Sequence, residues 1–92
     1  MCRNIRVLHH FEPPTTEEEI RAAALQFVRK VSGMTKPTHG DDPIFAQAID
    51  EIAATTTRLL GALHPPRTPA RTREGERAKA KRRWEARVIA RS

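Results

Sequence analysis

Apolar residues along this chain recur at helical spacing, and two stripes stand out. In the first, Ala23, Ala24, Phe27, Val28 and Val31 follow Ile20 at +3, +4, +7, +8 and +11, the set that lines one side of a helix. Thr16-Glu17-Glu18-Glu19 marks its start. The Thr16 hydroxyl can accept the amide proton three residues on, and Glu19 can reach back to close a capping box. Three Glu suit the positive end of the helix dipole, Arg29 and Lys30 suit the negative end, and Gly33 supplies a stop. The pattern predicts a helix over residues 17 to 32.

The second stripe runs through Phe45, Ala48, Ile49, Ile52, Leu59, Leu60 and Leu63. Asp42-Pro43 opens it, since Asp caps exposed amides and Pro lacks only an N–H that the first turn leaves unused. Pro65-Pro66 ends it, which predicts a longer helix over residues 42 to 64. The β-branched run Thr55-Thr56-Thr57 lowers helix propensity mid-way, so packing must hold that turn. Residues 33 to 41 form a breaker-rich connection long enough for the two helices to fold back antiparallel. Their buried faces are expected to include Ile20, Phe27, Val31, Phe45, Ile49, Ile52 and Leu60. Upstream, Asn4 can cap a short helix over residues 5 to 10, and a short strand there fits as an alternative. Pro13-Pro14 then imposes an extended link.

The expected fold class is therefore all-α: a short N-terminal helix plus an antiparallel helical hairpin, followed by a basic C-terminal tail or helix. Residues 1–64 make the helical domain, residues 65–73 a Pro/Arg-rich linker, and residues 74–92 a basic amphipathic tail expected to be helical. With 92 residues there is room for one domain and little depth for an enzyme pocket. Aromatic residues are 4% of the chain, so Leu, Ile, Val and Ala must build the core. No apolar run approaches the roughly 18 residues that cross a bilayer, and no apolar signal segment follows Arg3 and Arg6, so the expected compartment is the cytoplasm. A single cysteine, Cys2, cannot form an internal disulfide, which suits a reducing compartment.

Charge is unevenly distributed. Residues 67 to 92 hold ten Lys and Arg against Glu74, Glu76 and Glu85, a balance of +7; residues 1 to 66 hold seven against eight acids, −1, and together these make the chain's +6. The excess belongs to the tail, where Arg77, Lys79, Lys81, Arg82, Arg83, Arg87 and Arg91 surround Trp84, with Ala80, Trp84 and Val88 on one helical line. Basic amphipathic segments of this kind bind nucleic-acid phosphates, anionic membrane surfaces or acidic protein grooves. A solvated tail is the plain alternative.

The order of a short helix, a capped helix, a loop and a longer helix resembles the J-domain arrangement of co-chaperones. J-domains carry a His-Pro-Asp triplet in that loop, and here it reads Lys36-Pro37-Thr38-His39-Gly40-Asp41. The resemblance therefore implies an arrangement and not the activity. Met1-Cys2-Arg3-Asn4-Ile5, Phe11-Glu12-Pro13-Pro14 and Ala22-Ala23-Ala24-Leu25-Gln26-Phe27-Val28-Arg29-Lys30-Val31-Ser32-Gly33 resemble the bacterial family called domain of unknown function 2277, over roughly residues 2 to 66. That family supplies no activity to carry over. Its pattern more usually has an aromatic and an Asn where His9 and His10 stand here, so the resemblance implies no metal role for these two.

Other candidate chemistry is weak. Removal of Met1 would leave the Cys2 thiol beside a free α-amine, a pair that can chelate metal, and Arg3 and Arg6 would favour its thiolate. A small buried residue is the commoner use of such a cysteine. Cys2, His9, His10, His39 and His64 match none of the paired spacings of structural zinc sites, and adjacent His on a helix diverge by about 100°. The Gly33 to Gly40 loop lacks Gly-Lys-Ser/Thr and follows a helix, so it is no phosphate-binding P-loop. No cofactor is implied. The loop is too long for a helix-turn-helix, and aromatic platforms for single strands are absent.

The leading expectation is a non-enzymatic accessory protein that binds RNA or a ribosome-like surface through Arg77, Lys79, Lys81, Arg82, Arg83, Trp84 and Arg87. The alternatives are a helical protein-protein module or homodimer, and a thiol or metal site at a processed N-terminal Cys2. Binding to an anionic membrane surface is not excluded.

Overall fold

The computed structural model describes residues 5–91, and the protein is all-α. Helix α1 spans Glu17–Ser32, α2 spans Asp42–Ala62 and α3 spans Arg73–Arg91. The capping box at α1 forms as its sequence dictates: the Glu19 amide donates to Thr16 Oγ1 at 3.2 Å and the Thr16 amide donates to Glu19 Oε1 at 2.8 Å. At the other end Gly33 adopts φ 73°, a left-handed conformation that costs glycine nothing, and its amide donates to the Arg29 carbonyl at 3.0 Å.

Helix α2 opens differently from its sequence pattern. Asp42 is its first residue, and Asp41 holds the cap position without making a side-chain cap. The Asp41 carboxylate instead accepts the Thr38 hydroxyl at 2.6 Å, while the Asp41 amide donates to the Thr38 carbonyl at 2.9 Å, so the acid closes the loop rather than the helix. In mid-helix, Thr56 and Thr57 return their hydroxyls to the carbonyls of Ile52 and Ala53 at 2.7 and 2.8 Å, which satisfies these groups within the helix itself.

The two helices form a hairpin. Ile20 and Ala24 of α1 pack with Ala53 of α2, and Leu8, Ile49, Ile52 and Leu60 close around them. Contact between the start of α1 and the second half of α2 requires the chain to fold back, and an Arg21–Asp50 ion pair at 2.8 Å spans the same seam at the surface. Among the described residues Ile20, Ala24, Val28, Phe45 and Ala53 are the buried apolar side chains. Phe27 and Val31, expected in the core, are 44% and 67% exposed. The α1 stripe is wider than one partner helix can cover: α2 sits over the Ile20, Ala24 and Val28 line, and the flanking +7 and +11 positions face solvent.

The N-terminal segment also departs from expectation. Residues 5 to 11 contain no helix, and Asn4, the residue read as its cap, lies outside the described residues. His10 takes φ 63°, which interrupts any right-handed helix, and Phe11 forms an isolated parallel bridge with Arg71. Neither the short helix nor the strand forms here: the segment is irregular and ends in one isolated bridge.

Helix α3 makes no backbone approach to α1 or α2, and the molecule is broad and thin, with extents of 45 × 39 × 15 Å. Its radius of gyration of 16.0 Å exceeds the roughly 12 Å expected of a compact domain of this length. Ile20→Ala is expected to lower stability by about 2 to 4 kcal/mol, whereas Val31→Ala should change it by no more than about 0.5 kcal/mol. Urea midpoints of the two variants check this, and equal losses would return Val31 to the core.

Candidate nucleic-acid interface

Thr72 starts α3. Its hydroxyl accepts the Gly75 amide at 3.0 Å and its carbonyl accepts the Glu76 amide at 3.0 Å. Glycine at 75 permits this close cap, since a Cβ there would stand 2.9 Å from Thr72 Oγ1. Glu74 and Glu76 lie in the first turn, favoured by the helix dipole.

What aims the helix is Arg73. Its guanidinium donates through Nε to Glu19 Oε2 at 2.8 Å and through Nη2 to Glu19 Oε1 at 2.7 Å, a two-point fork. It also donates to the carbonyls of Pro13 at 2.9 Å and Pro14 at 3.1 Å, and lies 5.4 Å from the centre of the Phe11 ring. The hydrogen bonds from Arg73, then the Thr16 amide, hold the Glu19 carboxyl down at about 2 against an ordinary 4.5, and the same fork raises the guanidinium's pKa. One carboxylate thus closes the α1 cap and receives α3.

Residues 64 to 72 are fastened to the N-terminal segment as well. The Glu12 amide donates to the Arg71 carbonyl at 2.9 Å, and the Arg71 amide to the His10 carbonyl at 2.8 Å. Arg71 Nη1 donates to the His9 carbonyl at 2.7 Å, and His10 Nε2 to the Thr68 carbonyl at 2.8 Å. The Thr15 hydroxyl donates to the Leu8 carbonyl. His9 and His10 therefore serve as links between segments, His9 Nε2 reaching the His64 carbonyl at 3.3 Å.

Beyond this root, residues 77–90 are exposed throughout. Lys79 pairs with Glu76 at 3.2 Å. The side chains of Arg77, Lys81, Arg82, Arg83 and Arg87 make no hydrogen bond or ion pair among the described residues, and Trp84 is 60% exposed. All seven residues read as the basic site thus stand on one helix, although they ring it rather than share a face. Between residues 5–11 and the first half of α3 lies a cleft of about 630 Å³, lined by Ile5, Val7 and Leu8 on one side and by Arg77, Ala80 and Arg83 on the other. Sequence reasoning missed this cleft and the residue that builds it. The one legible signal was Thr72 followed by Glu74 and Glu76, a helix-start pattern that places Arg73 in the first turn.

Among the described residues no group of three or more His, Cys, Asp or Glu is placed to hold a metal ion, and no helix is long and apolar enough to cross a membrane. Cys2 lies outside the described residues.

A family model described as "Uncharacterized conserved protein (DUF2277)" matches residues 1–79. The chain belongs to this family. Neither a curated protein nor a solved structure matches it. The DUF2277 match runs past the hairpin through Arg71 and Arg73 into α3 as far as Lys79, further than the residues 2 to 66 over which the resemblance was legible. His10 itself fits its left-handed backbone, because Asn, Asp and His are the side-chain-bearing residues that best accept one.

Glu19→Gln is expected to keep the α1 cap and helix content while uncoupling α3, since an amide oxygen can still accept the Thr16 N–H but offers Arg73 neither charge nor a second acceptor. Arg73→Lys should uncouple it too, a point charge being unable to reproduce the fork and the proline contacts. Protection of the Arg71 and Glu12 amides against hydrogen exchange measures this directly. A carboxyl with lowered pKa contributes its stabilisation fully above its unfolded value near 4.5 and loses it as pH falls toward about 2. The protection factors should therefore hold at neutral pH and decline across that window; factors that stay unchanged as pH falls toward about 2 would reject the role of Glu19.

Proposed function

We propose that this protein is a non-enzymatic accessory factor that binds RNA, free or on a ribosome-like surface, through α3. The observation that carries the reading is a 19-residue helix whose cations from Arg77 to Arg87, Lys79 apart, have no internal partner and lie open to solvent. Unpaired guanidinium and ammonium groups clustered on a projecting helix suit phosphates, whose neutralisation releases condensed counterions. Phosphate contacts position a protein without reading bases, so sequence preference is weak. Trp84 adds about 1 to 3 kcal/mol where it stacks on a base. The Arg73 fork gives the helix a fixed direction from the hairpin, so the cations are presented together.

A second reading, self-association, draws on Phe27 and Val31, which share one exposed face of α1 at i and i+4. Val31→Glu would leave a monomer unaffected and would lower the sedimentation coefficient of a dimer.

Truncation after Glu76 keeps the Glu19–Arg73 fork and removes the open cations. The truncated chain is expected to retain the hairpin and lose RNA affinity. If about five cations neutralise phosphates in the full chain, log affinity falls with log salt at a slope of roughly −3.5 on single strands and −4.5 on duplex. Absence of binding near about 50 mM salt, or equal binding by the truncated chain, would refute the proposal.

A further inference from the structure

We infer that the cleft between residues 5–11 and α3 is a seat for one nucleotide of a single strand, with the phosphates on either side of that nucleotide held by Arg77 and Arg83. The inference rests on the RNA-binding reading and names the form of RNA that it favours.

Arg77, Ala80 and Arg83 follow one another at i, i+3 and i+6 and all line the cleft. At 1.5 Å rise per residue the two arginines leave the helix about 9 Å apart along its axis. Ala80 stands between them with the smallest side chain that keeps good helix propensity. The floor is therefore low in the middle with a cation at each end; Glu19 and Glu76, which also line the cleft, are paired with Arg73 and Lys79, so Arg77 and Arg83 keep their charge for a ligand. Opposite stand Ile5, Val7 and Leu8, an aliphatic wall, with Arg6 beside them. Arg6, Arg77 and Arg83 have no internal hydrogen-bond or ion-pair partner among the described residues. At about 630 Å³ the cleft falls within the roughly 300 to 1,000 Å³ typical of small-ligand sites.

This arrangement selects its occupant by charge. An acyl chain carries an anionic head at one end, whereas the cleft has cations before and after its apolar centre. A nucleotide within a strand has an apolar-faced body flanked by two phosphates, which matches. The base meets aliphatic side chains, not a stacking platform, because the Phe11 ring already lies beside the Arg73 guanidinium. The seat is accordingly tolerant of base identity. It does require the base to leave its neighbours, which a single strand allows and a duplex resists.

Ala80→Leu fills the floor without changing charge or helix propensity, and position 80 is exposed, so folding is not at stake. Fluorescence anisotropy of the full chain should give affinity for a single-stranded oligonucleotide reduced about tenfold by Ala80→Leu, with duplex affinity unchanged; Arg82→Gln, on the far side of α3, should weaken both alike. Adenosine 3′,5′-bisphosphate carries the two phosphates on one nucleoside and separates the cleft from general polyanion binding. In amide NMR titration it should shift Val7, Leu8 and Ala80, and adenosine should not. If the bisphosphate seats there while RNA fails to bind, the seat stands and the RNA-binding function falls. If RNA binds but Ala80→Leu changes nothing and the bisphosphate shifts no cleft residue, the seat is refuted and the function stands. Phosphatidylglycerol vesicles that shift Val7 and Ala80, with no response to the bisphosphate, would assign the cleft to lipid and overturn the inference.

Discussion

The two-point ion pair between Arg73 and Glu19 ties the root of α3 to the hairpin helix α1. Glu19 is already placed by the α1 cap, with one oxygen accepting the Thr16 amide. Arg73 is placed by the first turn of α3. When these two meet, the guanidinium also takes up the Pro13 and Pro14 carbonyls, and the segment before α1 is drawn against the root of α3. A surface ion pair alone contributes little. This one has two-point geometry and two further acceptors, and the neighbouring Phe11–Arg71 bridge shares its work.

That construction explains why a chain with so few buried apolar residues has a defined third helix. Hydrophobic burial is confined to the α1–α2 seam, and α3 contributes no residue to it. Its direction comes from polar contacts at one end, and the remainder is supported by its own backbone and its Ala-rich sequence. A helix held at its root and exposed over residues 77–90 presents its surface to a partner without first having to detach from a core. The same root forms one end of the cleft, across which Arg77 and Arg83 of α3 face the aliphatic N-terminal segment.

Helices α1 and α2 were legible from the chain because their information is local: the Thr16 to Glu19 box, Gly33, Pro43 and the 3.6-residue stripes all act within a few residues of where they occur. The concentration of positive charge after residue 66 and the helical line through Ala80, Trp84 and Val88 were equally local. The irregular course of residues 5 to 11 was less so. Their short spacing of apolar positions fits a turn of helix as well as a strand, and neither forms: His10 takes a left-handed backbone and Phe11 bridges Arg71, some sixty residues away.

By itself, then, the sequence determined the all-α class, the bounds of α1, the rough extent of α2, which stops at Ala62 rather than at residue 64, and the sign and place of the charge, since propensity, capping and composition are properties of neighbouring residues. Tertiary structure decided which half of the α1 stripe is covered, leaving Phe27 and Val31 outside, because one helix can bury only the line it touches. It also decided that Arg73, one of ten cations in its segment, is a clamp while Arg77 and Arg83 face a cleft. These arginines are chemically identical along the chain. Only the position of Glu19, 54 residues earlier, distinguishes them, and a contact at that separation leaves no periodic trace in the sequence.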